Sequence, residues 1–199
     1  MHDTAVAAAS AEPQWVLPSR GPVAMYSLIL AESSIFTIFV VAYLFYIGKS
    51  LTGPYPTKDV LELPIFATVC LLSSSGTIHF AVAALRNGNT RAFGTWWFAT
   101  LALGSIFLFE TGREWHHLIY DEGLTISTNL FGTTYYSLVG LHAFHVTVGL
   151  ISLALGMIFT LMGKVRQEHA ERAEVFSLYW HFVDAVWVVV FTVVYIVGR

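Results

Sequence analysis

The sequence predicts an all-α polytopic membrane protein, a bundle of five transmembrane helices, and three observations carry that reading. Of its 199 residues, 56% are hydrophobic and only 12% charged, and the mean hydropathy is +0.65, outside what a water-soluble domain of this length shows. The charges fall in clusters separated by apolar runs of about twenty residues or more, enough at about 1.5 Å per residue to cross a hydrocarbon core of about 30 Å. Unbroken runs such as AVWVVVFTVVYIV lack the alternation of an outer-membrane strand. In lipid such a run needs a helix to satisfy its backbone internally.

The first run, Val23–Ile47, follows a segment with no basic n-region and with Pro13, Pro18 and Pro22. A polar N-terminal tail, 1–22, is therefore expected before a membrane domain, 23–199, rather than a cleaved signal peptide. The second run, Pro64–Leu85, holds a small-residue patch at Ser73–Gly76 and the single cysteine, Cys70, read as a packing residue. The third, Phe93–Gly112, contains Thr100-x-x-x-Gly104, and the fourth contains Ser152-x-x-x-Gly156; such pairs let neighbouring helices approach closely. The fourth run, Phe131–Met162, exceeds one span, so it is expected to tilt strongly or to begin with a turn at the interface around NLFGTTYY. Val175–Val197 is the fifth. Short connections imply one bundle with no second domain.

Aromatic residues gather near the expected ends as Trp96, Trp97, Trp115, Tyr135, Tyr136, Tyr179 and Trp180, the pattern of an aromatic belt at headgroup level. Arg20, Arg86, Arg91, Lys164, Arg166 and Arg172 fall on one side of the membrane, and Lys49, Lys58, Arg113 and Arg199 on the other. That bias places the N-terminus in the cytoplasm and, after an odd number of spans, the C-terminus outside.

An ionised carboxylate at a helix centre costs about 2.5–3.5 kcal/mol on insertion scales, so each acid within a span needs a reason. Glu32 lies about halfway down the first run with no basic residue in that helix. It is either a proton-active carboxyl or an acid hydrogen-bonded to a neighbouring helix. Glu110 and Glu114 share a helix face near Arg113, His116 and His117, as a solvated or partly paired helix end would. His79 reads as a helix-to-helix hydrogen bond.

His142 and His145 stand three apart on one helix, and His181 and Asp184 repeat that spacing on the next. A carboxylate that orients a histidine is a familiar arrangement around metals. A haem or copper reading, as in a small electron-transfer protein, would draw ligands from His79, His142, His145 and His181. The alternative is polar ties between helices, and the spacing favours it, because neighbours on one helix cannot both meet one haem axially. One cysteine excludes a dinuclear copper site, which needs a pair of thiolates, and a CxxCH haem attachment. No basic stripe suggests nucleic acid. A transporter would need repeats, and five spans do not divide into equal halves.

Specific strings then point to a family. FGTTYYSLVGLHAFHVTVGL (131–150) followed by YWHFVDAVWVVVFTVVYIVGR (179–199) resembles the last two helices of subunit III of the haem–copper terminal oxidases. AESSIFTIF resembles that family's buried-glutamate segment at Glu32, and LLSSSGTIHFAVAAL and GREWHHL resemble its next two motifs, with Glu114 at the helix-end glutamate. Where many members carry Asn-Thr, this chain carries Ala67-Thr68, and Thr111 replaces a Gln.

The resemblance covers roughly Val23 to the C-terminus, in the short five-helix bacterial form. It implies an accessory subunit of an enzyme that reduces oxygen to water and moves protons across the bacterial inner membrane. It implies no catalytic residue, metal or cofactor on this chain, haem and copper in partner subunits, direct packing on subunit I with subunit II in the same complex, and bound phospholipid. Glu32 would be the proton-related buried acid. Glu114, His142, His145, Trp180, His181 and Asp184 would form an inter-helix polar network or contact lipid. A quinol-oxidase subunit III and a partner of a nitric oxide reductase are the near alternatives.

Overall fold

The computed structural model describes residues 20–51, 53–57 and 60–198; the expected tail up to Ser19, with Lys58 and Arg199 of the charge count, lies outside them. Five helical units are each long and apolar enough to cross a membrane. They are α1 (Arg20–Tyr46), α2 (Ile65–Arg86), α3 (Thr90–Tyr120), α4 (Leu130–Leu161) and α5 (Ala170–Phe191), the last entered through a 3-10 turn at Gln167–His169 and continued by a π-helical segment, Thr192–Val197. Strands are absent among the described residues, as the fold class requires.

The boundaries follow from local chemistry. Asn89 accepts from the Ala92 N–H at 3.0 Å and so starts α3, while Gly88 at φ +74° supplies the left-handed residue that lets α2 and α3 turn back within three residues. Asn129 caps α4 in the same way, accepting from Gly132 N at 2.8 Å. That cap starts the helix at Leu130, and α4 runs unbroken through NLFGTTYY for 32 residues. The alternative of an interfacial turn is therefore replaced by one helix of about 48 Å. On α3 the helix continues past Gly112 to Tyr120, which puts Glu114 on the helix itself.

Helix α5 packs against α1, α2 and α4, and α4 packs against α1, α3 and α5, while α2 and α4 flank α3. Water supplies no driving force between helices in lipid, so association rests on close packing and on hydrogen bonds. Three indoles provide both. Trp180 of α5 donates Nε1–H to Ser74 Oγ of α2 at 2.7 Å, and its ring lies between two glycines of neighbouring helices. A Cβ at Gly104 of α3 would stand 2.8 Å from that ring, and one at Gly149 of α4 2.7 Å from it. Trp97 of α3 donates to the Leu153 carbonyl of α4 at 2.8 Å, against Gly156. Trp187 donates to Thr68 Oγ1 at 3.1 Å and meets Phe107 edge-on, with ring centroids 4.7 Å apart.

These contacts correct two sequence expectations. The small-residue pairs are divided: Thr100 meets Thr77 of α2 at 2.8 Å, the close helix contact expected, whereas Gly104 receives Trp180, Gly156 receives Trp97, and Ser152 bonds Val148 O of its own helix. The aromatic belt is likewise narrower than expected, because Trp97, Tyr135, Tyr136 and Trp180 are core residues and Trp96 stays at the surface. Successive side chains on a helix point about 100° apart, so one of an adjacent pair can enter a slot that its neighbour cannot reach.

Replacing Trp180 by Ala should cost about 3–5 kcal/mol, the range for a buried aromatic. Reversible unfolding in mixed detergent micelles measures it, and Trp96→Ala, at the surface, is the control and should cost far less.

Candidate functional site

The buried polar residues fall into separate clusters, each joining two or more helices. In the first, α4 presents His145, whose Nδ1 lies 2.8 Å from the Leu141 carbonyl. A carbonyl only accepts, so Nδ1 carries the hydrogen, and Nε2 faces Glu32 Oε2 of α1 at 3.2 Å. The Glu32 carboxyl therefore faces the ring nitrogen that the carbonyl leaves available. Phe36 covers the imidazole, with ring centroids 4.9 Å apart, and Tyr179 of α5 donates to the His145 carbonyl at 3.1 Å. Ser33 and Ser34, which flank the acid, bond back to Ile29 and Leu30 carbonyls and do not serve it.

His142 does not join this pair. Its ring stacks on Trp187, with centroids 5.0 Å apart and planes inclined by 30°. Both ring nitrogens are enclosed and make no hydrogen bond among the described residues. In this structure His142 packs as an aromatic plate between α4 and α5.

In the second cluster, the expected pairing of His181 with Asp184 is made through a third residue. Ser75, midway along α2, donates Oγ–H to Asp184 Oδ2, and the same Oγ lies 2.9 Å from His181 Nδ1. Asp184 is 3% exposed, and its Oδ1 is enclosed without a partner among the described residues.

The third cluster forms where α3 and the end of α5 meet. Glu114 Oε1 accepts from Tyr195 at 2.7 Å and from Tyr135 at 3.2 Å, and the two phenol oxygens are 3.3 Å apart. Glu110, four residues away, turns outward and pairs with Arg113 at 2.9 Å. Glu114 also borders an open cavity of about 430 Å³ lined by Glu62, Arg113 and His117. Both acids of that helix end border the cavity, but they have different partners, Arg113 for Glu110 and two phenols for Glu114.

His79 lies on the exposed face of α2 beside Phe80, and the expected helix-to-helix hydrogen bond is not made among the described residues. The histidines proposed as a ligand set stand in distinct settings: against Trp187, at Glu32, at Ser75 and at the surface. No group of three His, Cys, Asp or Glu residues converges in a way that could hold a metal among the described residues. Sequence reasoning missed Ser75, Tyr135 and Tyr195. A hydroxyl at mid-span facing a histidine–aspartate face could have marked Ser75; for the tyrosines, belt composition hid the signal.

The class this arrangement defines is a multi-pass helical membrane subunit whose interior acids are held by imidazoles and hydroxyls of neighbouring helices. The profile of the family described as cytochrome c oxidase subunit III matches residues 24–199, and the chain belongs to that family. It is 37% identical over 168 residues to the cytochrome c oxidase subunit 3 of Alkalihalophilus pseudofirmus, covering 84% of this chain and 82% of that one. It is 38% identical over 178 residues to that of Synechocystis, covering 84% and 72%, and 36% identical over 152 residues to that of Bacillus subtilis, covering 75% and 73%. Membership makes it a subunit of a multisubunit oxidoreductase complex in the membrane.

The Glu32–His145 contact should show as a coupling energy. Substituting Glu32 and His145 by Leu, singly and together, should give an interaction term of about 0.6 kcal/mol, the average for hydrogen bonds between membrane helices, and no more than about 1.7 kcal/mol, the largest found. Unfolding of the four variants in micelles measures it.

Proposed function

We propose that the chain is the redox-centre-free, accessory subunit III of a cytochrome c oxidase. In this reading it packs directly on the catalytic subunit I, with subunit II in the same complex, retains phospholipid, and supports proton uptake while oxygen is reduced to water at haem and copper held by those partners. The N-terminus faces the cytoplasm and the C-terminus the outside of a bacterial inner membrane. The isolated chain performs no redox chemistry.

The observation that carries the proton-uptake part is the Glu32–His145 pair. The acid's oxygen lies 3.2 Å from an imidazole nitrogen whose ring partner is already committed to a carbonyl. An acid–base pair of this kind exchanges one proton with little rearrangement. Glu32 is also 23% exposed at its side chain, open enough to communicate with a group outside the bundle. The apolar outer faces of α1 and α4, including Leu30, Ile38, Phe144 and Ile151, offer surface for subunit or lipid packing.

Affinity capture of the chain in mild detergent should bring down haem and copper, with an oxidase spectrum. After separation the chain alone should carry neither; haem that stays with it would overturn the accessory reading. In the assembled enzyme Glu32→Gln keeps the side chain's volume and loses the exchangeable proton. It should lower proton pumping or sustained turnover several-fold, and rates unchanged over many cycles would remove the proton role.

A further inference from the structure

We propose that His181, Ser75 and Asp184 form a proton relay that takes up a proton at His181 Nε2 and stores it on Asp184. Ser75 lies midway along α2 and His181 midway along α5, so the triad sits near the centre of both spans. Ser75 Oγ has one hydrogen and touches two groups, the Asp184 carboxyl and His181 Nδ1 at 2.9 Å.

Two proton arrangements satisfy both contacts with every heavy atom in place. In the empty state His181 Nδ1–H donates to Ser75 Oγ, and Oγ–H donates to the Asp184 carboxylate. A proton arriving at Nε2 forms a new N–H bond there. The Nδ1–H bond then breaks, its proton passes to Oγ, and the hydrogen already on Oγ passes to Oδ2. In the loaded state Asp184 is a carboxylic acid donating to Oγ, Oγ–H donates to the Nδ1 lone pair, and His181 is neutral again with its hydrogen on Nε2. One proton has entered, and the charge of the carboxylate has gone.

Three further features fit this use. The enclosed, unpartnered Oδ1 makes the ionised carboxylate costly in apolar surroundings, so loading relieves that cost. His181 is half-buried, and its Nε2 makes no hydrogen bond among the described residues and is not an enclosed atom, so it lies open at the outer face of the bundle. His79 of α2 acts on His181 from another helix, and the hydrogen bond from Ser75 acts on Asp184. His145 lacks this capability, because its Nδ1 hydrogen is held by the Leu141 carbonyl and cannot move on through the ring.

The test uses the full chain in lipid nanodiscs, with infrared difference spectra across a pH step and nitrogen NMR of labelled histidine. On acidification, a carboxylic-acid absorption that is missing in Asp184→Asn should appear together with a change of His181 from the Nδ1–H to the Nε2–H tautomer. In Ser75→Ala the two events should separate: His181 should titrate to imidazolium, and the Asp184 band should no longer accompany it. Ser75→Thr, which keeps the hydroxyl, should restore the coupling. A Ser75→Ala protein with the wild-type band and tautomer change would overturn the relay. So would a wild-type His181 that holds one tautomer throughout, a result that needs no variant to fold.

Discussion

The seat of the Trp180 indole between two glycines is the constraint on which the rest of the bundle depends. The ring occupies space that a Cβ at Gly104 or Gly149 would claim, and its N–H ends on Ser74. One side chain of α5 therefore sets the approach of α2, α3 and α4 together. Once α5 is held this way, Trp187 lies against Phe107 and His142, and His181 and Asp184 both face Ser75.

Ser74 and Ser75 divide the work of one short patch. Ser74 donates to the Leu71 carbonyl and accepts from Trp180, so its hydroxyl is used up in holding the helices together. Ser75 has no backbone bond among the described residues, and its single hydrogen lies between an acid and an imidazole. Adjacent residues of the same type thus take a packing role and a proton-handling role because a helix turns them toward different neighbours.

The three acids in the bundle interior illustrate how a low-dielectric setting selects partners. Burying an ionisable group without partners is costly, and each acid meets the cost differently. Glu32 has an imidazole, Asp184 a hydroxyl linked to an imidazole, and Glu114 two phenols. Only Glu32 meets an imidazole directly, while Asp184 reaches one through the Ser75 hydroxyl. The Glu114 cluster instead ties α3 to α4 and to the π-helical end of the chain.

The sequence by itself determined the helical class, the five spans and the residues that had to be accounted for, because hydropathy and the cost of a charge in lipid are local properties. Glu32, His145, His181 and Asp184 were legible for that reason, and the order of their motifs pointed to the family. Tertiary structure alone decided which partner each residue meets. His142 and His145 share a helix and the same spacing rule, yet one stacks on Trp187 and the other bonds Glu32. Spacing along a helix sets only the direction in which a side chain leaves. What it meets depends on the rotation of the facing helix, and here the glycine slots that receive Trp180 and Trp97 set how closely the helices pack. The same dependence hid Ser75 and the core tyrosines, whose roles exist only once α2, α3, α4 and α5 are side by side.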